Sequence, residues 1–276
     1  MANHWFPGHM AKARRLMSEH ISSIDCIVEV RDARLPFSSA NPMLHELKGN
    51  KPTLIVFSKS DLADEKANST FKSYFDSINQ PTLFVNSLHV SARNKIMRAI
   101  EDTLSEKRAK DKAKGIQFRM FKIMVVGIPN VGKSTLINTL AKKRVVDVAN
   151  KPGVTQSLKW LNIDSKFMLM DTPGVLWPKF EDPQIGVKIA LCHSMKESVV
   201  NIEEVLQFAI NFMMQHYPHL CDPHITEPSV EAYIDHYIAK IQQNSKSQTH
   251  DEALLTLYRD FKEGRIGKMT YDFVEN

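Results

Sequence analysis

Gly127-Ile128-Pro129-Asn130-Val131-Gly132-Lys133-Ser134 fits the pattern G-x-x-x-x-G-K-[ST] at every fixed position. An apolar run, Phe121 to Val126, precedes it, and Ser134 opens a helical stretch. This strand-loop-helix setting is the one in which such a loop cradles phosphates. Two glycines let the backbone wrap an anion, and the N–H groups at a helix N-terminus face it. Lys133 is placed to reach the β and γ phosphates and Ser134 to ligate Mg²⁺. Asn130, Val131, Gly132, Lys133, Ser134 and Thr135 are therefore candidate nucleotide-binding residues.

Two further motifs complete a nucleotide site. Asp171-Thr172-Pro173-Gly174 reads as D-x-x-G, with Asp171 expected on Mg²⁺ and the Gly174 N–H expected at the γ-phosphate. Thr155, within Lys151-Pro152-Gly153-Val154-Thr155, is either the switch threonine that completes the Mg²⁺ shell or a plain loop residue. Ser58-Lys59-Ser60-Asp61 ends an apolar strand at Thr53 to Phe57. Guanine presents N1–H and N2–H₂ as adjacent donors, and one carboxylate, that of Asp61, accepts both. The Lys59 stem would lie over the base, and Asn86-Ser87 could add backbone contacts to guanine O6. In a Ras-like GTPase the base motif follows D-x-x-G. Here the order is base, phosphate, switch, which is a circular permutation.

The rest of the chain alternates strand and helix patterns up to Asp171: strands at 24–30, 53–57, 82–85, 121–126, 158–163 and 166–170, with helices at 43–48, 64–78 and 92–112. Alternation of this kind implies a largely parallel sheet covered on both faces. After Pro178 no strong strand signal remains. Asn201 with Glu204 resembles a capping box. Val230, Tyr233, Ile234, Tyr237, Ile238 and Ile241 repeat at helical spacing, and Gln242 to His250 reads as a loop. The expected architecture is a circularly permuted α/β P-loop NTPase (Ras-like) domain, residues 1–178, followed by an all-helical domain, residues 179–276.

With 276 residues, 43% hydrophobic and 24% charged, the composition is that of a globular protein. No apolar run approaches a membrane span, and the first residues lack a secretory h-region. A cytoplasmic setting is the expectation, with an organellar form left open. Cys26, Cys192 and Cys221 are far apart and suggest neither disulfides nor structural zinc. His216, His219, Cys221 and His224 approach metal-ligand spacing, but they lie in what reads as a helix-ending loop with no distant ligand pair. The net charge is +5. Basic residues gather between Lys107 and Lys122, at Lys142 to Lys151 and at Lys12 to Arg15. Each run alone reads as a solvated helix face; three beside a nucleotide site favour RNA. No strong exposed heptad is present, so a monomer is expected.

In Ras-like enzymes a glutamine after D-x-x-G orients the attacking water. Val175 and Leu176 stand there in this chain, and neither can do so by hydrogen bonding. His9, in Trp5-Phe6-Pro7-Gly8-His9-Met10 ahead of a basic helix, is the candidate catalytic substitute; the alternative is an anchoring turn whose histidine packs.

The motif order, with the opening W-F-P-G-H-M-A-K-A and D-T-P-G-V-L-W-P-K-F-E-D at 171–182, resembles the circularly permuted ribosome biogenesis GTPase A family, which has bacterial and mitochondrial members. The resemblance implies GTP hydrolysis coupled to late maturation of the large ribosomal subunit, with a helical domain that helps bind rRNA. It implies slow hydrolysis alone and stimulation by the ribosomal particle. It matches His9 to the family's N-terminal histidine implicated in hydrolysis, and it makes Asn130 a K⁺ candidate. A nucleotide-dependent RNA- or membrane-binding switch with negligible hydrolysis is the alternative. One departure stands out: the family's base motif is N-K-x-D, and Ser58 replaces the asparagine. The shorter serine is expected to brace the loop only through water, with guanine specificity kept and affinity weakened.

Overall fold

Seven consecutive residues, Cys26–Asp32 (β1), are buried along their whole length, as a parallel strand covered on both faces requires. β1 is flanked by Thr53–Ser58 (β2) and Phe121–Val126 (β4), both parallel to it. Thr82–Phe84 (β3) extends the sheet beyond β2. Phe167–Asp171 (β6) pairs in parallel with β4, and Lys159–Asn162 (β5) closes that edge antiparallel to β6. The order is β3-β2-β1-β4-β6-β5. The chain starts at the middle of the sheet, moves outward, then returns to β1's other side. Strand order reverses between β1 and β4, where open α/β sheets hold their ligands at the carboxyl ends of strands.

The structure is a computed structural model that describes residues 7–146, 158–177, 180, 182–244 and 249–274. Helices Pro7–Ile21 (α1), Pro42–Lys48 (α2), Glu65–Ser77 (α3), Ala92–Thr103 (α4), Ser105–Ala113 (α5) and Lys133–Ala141 (α6) belong to the sheet-bearing half. The helix expected over 92–112 is two helices. Ala92, Ile96 and Ile100 bury one face of α4, and Leu104, fully buried, ends that apolar stripe. α5 buries none of its residues, so the apolar stripe that seats α4 does not continue into it.

Beyond Asp171 the described chain is helical: Pro183–Leu191 (α7), Ile202–His216 (α8), Val230–Asn244 (α9) and His250–Lys262 (α10). Asn201 caps α8 by accepting the Glu204 N–H. The reciprocal capping box lies instead at Thr249 and Glu252, where the sequence reads as loop; α9 runs on to Asn244 and α10 begins at His250. Among the described residues no helix is long and apolar enough to cross a membrane.

The last described residues turn back to the sheet. The Tyr271 N–H donates to the Arg34 carbonyl, and the Asp272 carboxylate accepts from the Phe37 and Ser38 N–H groups and the Ser38 hydroxyl. One hydrophobic cluster includes strand residues such as Val28 and Val125 together with Ala209, Leu257 and Tyr258 from the helices.

Candidate functional site

β2, β4 and β6 end on the same side of the sheet, so Ser58, Gly127 and Asp171 come together although they are far apart in sequence. Gly127 has φ +150°, and a Cβ there would lie 2.3 Å from the Val30 carbonyl oxygen of β1. Only glycine lets the loop leave β4 this close to the neighbouring strand. Gly132 caps α6 and, having no side chain, makes no side-chain cap bond, so it does not cover the first-turn N–H groups that would face an anion. Ser134 and Thr135 open the helix and are half-buried.

The Lys133 side chain is buried and donates to the carbonyls of Gly127 (3.0 Å) and Ile128 (2.8 Å) of its own loop. Burial pulls its ammonium down to about 8, with Asp171 opposing that shift. Asp171 is 1% exposed, and neither carboxylate oxygen has a hydrogen-bond partner of good geometry among the described residues. Burial raises its carboxyl above the usual range, against the nearby Lys133 and Lys159 charges. An unpartnered buried carboxylate is costly. A divalent cation, a hard acid that prefers oxygen ligands, suits that donor. Gly174 abuts this pair: a Cβ there would meet Lys133 Nζ at 2.6 Å and Pro129 Cα at 2.9 Å. Val175 and Leu176 are buried, and the Asn41 side-chain amide donates to the Val175 carbonyl at 2.8 Å.

On the base side, Lys59 holds φ +55° and its ammonium sits 2.9 Å from Asp32 Oδ2. Ser60 accepts from the Asn68 side-chain amide, and the Asp61 carboxylate is exposed. Asn86 turns its side-chain oxygen onto the Leu88 N–H. The Ser87 carbonyl accepts from Thr139 on α6 at 2.8 Å, while its buried hydroxyl has no partner among the described residues. Ser58 is 1% exposed, and its hydroxyl reaches the Val131 carbonyl directly. This corrects the expectation of a water-mediated brace: Gly132 has no side chain, so Ser58 packs flush against the loop.

Asn130, at φ +58°, donates its side-chain amide to the His193 carbonyl (2.6 Å), in the loop after α7. His9 lies in the first turn of α1. Thr155, Trp5 and Phe6 lie outside the described residues.

Several residues at the site carried little sequence signal. Asp32 and Arg34 fall outside the strand expected at 24–30, although paired charges just past an apolar strand are a usable hint. His193, whose imidazole burial drives down to about 3 with Lys262, Lys59 and Arg34 adding to the shift, carried none.

A phosphate loop after a central parallel strand, a D-x-x-G on the next strand and a base motif from the chain's early part define a P-loop GTPase with circularly permuted connectivity. Residues 122–256 match the family described as 50S ribosome-binding GTPase. The ribosome biogenesis GTPase A of Bacillus licheniformis is 43% identical over 218 residues, covering 79% of this chain and 77% of its own. That of Bacillus cereus is 37% identical over 281 residues, covering 100% and 95%. The GNP-bound YlqF from T. maritima superposes with a TM-score of 0.66 at 22% identity over 95% of this chain and 100% of that one, a likeness of fold. This chain belongs to the ribosome biogenesis GTPase A family.

Proposed function

We propose that this protein binds the large ribosomal subunit and couples GTP hydrolysis to a late step of its assembly. Residues 1–178 form the GTPase unit and 179–276 the helical unit that docks on rRNA. The observation that carries the reading is the convergence of the base motif, phosphate loop and Asp171, which has no partner among the described residues, at the carboxyl ends of β2, β4 and β6, in a chain of this family.

The roles follow from position. Asp61 accepts the two guanine donors, and the Lys59 stem covers the base, with Asn86 and Ser87 at its far edge. The α6 N-terminus and the backbone of Asn130 to Ser134 hold the phosphates. Lys133 exchanges its loop carbonyls for phosphate oxygens when nucleotide enters. Asp171, Ser134 and Thr155 would hold Mg²⁺, which when bound offsets charge on the β and γ phosphate oxygens. The Asn130 side-chain oxygen is the K⁺ candidate, its NH₂ being engaged by His193. Gly174 offers its N–H to the γ-phosphate. Val175 and Leu176 supply no group that orients water, so His9 or the particle does. Hydrolysis removes the contacts that order the segments after Gly174 and around Thr155, and the protein leaves the particle.

The test is multiple-turnover GTP hydrolysis in K⁺ buffer with purified large subunits, using small subunits as control. Selective stimulation by large subunits is expected. The buried Val175 and Leu176 favour one second reading, a nucleotide-gated binder with negligible turnover; single-turnover assays without stimulation by either subunit select it.

A further inference from the structure

The guanine motif does not stand alone at the end of β2. Its lysine is tied through two buried charges to the far C-terminal part of the chain. Asp32, fully buried at the end of β1, accepts from Lys59 Nζ at 2.9 Å. The same carboxylate takes the Arg34 guanidinium in a fork, Nε to Oδ1 and Nη2 to Oδ2, both at 3.0 Å, and the Arg34 backbone N–H at 3.1 Å. A bidentate pair of this kind fixes orientation as well as charge. Burial alone would raise the Asp32 carboxyl; Arg34 and Lys59 hold it far below its usual range, so it stays anionic.

Arg34 is 2% exposed and spends its remaining terminal nitrogen on the Lys262 carbonyl at the end of α10, at 2.7 Å. Its own carbonyl accepts the Tyr271 N–H at 2.8 Å. The other flank of the base motif meets the same tail. Gly264 packs on Leu62, one residue after Asp61. The Asp64 N–H donates to the Thr270 hydroxyl, and the Tyr217 hydroxyl accepts the Thr270 N–H at 3.1 Å and lies 3.3 Å from both the Asp64 carboxylate and the Thr270 carbonyl. Asp272 then pins the tail by accepting two backbone N–H groups and the Ser38 hydroxyl.

Building on the guanine-site reading above, we propose that Asp32 is a positioning residue for base recognition, acting through Lys59, and that the end of α10 with the docked C-terminal tail, residues 262–272, sets its position through Arg34. Nucleotide affinity and tail docking are then one coupled equilibrium. Whatever binds the helical part with the tail seated tightens guanine nucleotide, and nucleotide in turn tightens the seating. Asp32 touches no nucleotide in this scheme. It restricts the Lys59 stem to the orientation in which it lies over the base, so its loss is felt as faster release of nucleotide.

The experiment measures GDP affinity and release with a fluorescent GDP analogue on the full chain. Asp32→Asn is expected to weaken GDP about tenfold, the scale of one charge-assisted hydrogen bond. In a Lys59→Ala background the same change is expected to do nothing more, since its path is gone. A purely structural role for Asp32 gives equal losses in both backgrounds, and that result overturns the proposal. Asp32→Asn also leaves Arg34 buried without its counter-ion and can cost folding. Asp272→Asn and Tyr217→Phe therefore test the tail at a distance from the nucleotide. Each, with an unchanged helical circular-dichroism spectrum and cooperative melting, is expected to speed GDP release about threefold, the scale of a weakened hydrogen bond. Release at the wild-type rate in both overturns the coupling. Wild-type protein that binds no guanine nucleotide overturns the guanine-site reading along with this one.

Discussion

The Ser58 hydroxyl donates to the Val131 carbonyl, joining the base-reading segment to the phosphate loop across 73 residues of sequence. The Arg31 carbonyl lies 3.1 Å away on the other side, and a hydroxyl has one proton, so it serves the two acceptors one at a time. Ser58→Ala removes this brace without adding bulk. The expected loss is about 1 kcal/mol of loop positioning, or about fivefold faster GDP release. Stopped-flow release of a fluorescent GDP analogue checks it; an unchanged rate sinks the brace.

Lys133 carries a proton-linked signature. Without nucleotide its ammonium is drawn down to about 8 from the ordinary 10.5, because the side chain is buried. Phosphates restore the charge on binding. Above about pH 8 the free protein therefore holds a neutral lysine and the complex a charged one, so binding takes up a proton. Calorimetry of GDP binding near pH 9, in buffers of different ionisation enthalpy, should show fractional uptake, and affinity should fall as pH rises. The same depression makes the unfolded chain bind more protons than the folded one between about 8 and 10.5, so the nucleotide-free fold gains stability across that window from this group. Binding with no proton uptake at pH 9 would contradict it.

Gly174→Ala places a methyl group 2.9 Å from Pro129 Cα, a backbone atom that cannot rotate aside. The loop or the segment after it must shift, at about 1–3 kcal/mol. GDP contacts other parts of the loop, so GTP hydrolysis should fall more than tenfold while GDP affinity changes by less than about threefold. Equal loss of both would place Gly174 in general loop stability instead.

His9→Ala should keep GTP affinity and remove most particle-stimulated turnover, at about 10²-fold, the usual scale for a positioned general acid–base group. Full stimulated activity in this variant would move the water-orienting role to the particle itself.

Much of the site was legible because its signals are local. A glycine-rich loop between an apolar strand and a helix needs only consecutive residues, and Phe121 to Val126 proved to be β4 with the same limits. The candidate base motif was legible by its place after the apolar run at Thr53 to Phe57, and that run is β2. The break at Leu104 was not, since the sequence of 92–112 favours helix on both sides of it and only the end of the apolar stripe marks the place where the backbone leaves the helix. α10 was expected only as part of an all-helical end, because its start at His250 falls within the polar stretch that reads as loop.

The sequence by itself determined the order of the three motifs, hence the permuted connectivity, and which residues are candidates for phosphate and base. Those are properties of short segments and of their order along the chain. Only the tertiary structure decided how the site is held: Ser58 on Val131, Lys59 on Asp32, and Arg34 on a carbonyl 228 residues away. No periodicity or propensity encodes such pairs. They exist because folding buries charged and polar groups together, and each must then find a partner wherever the packing brings one.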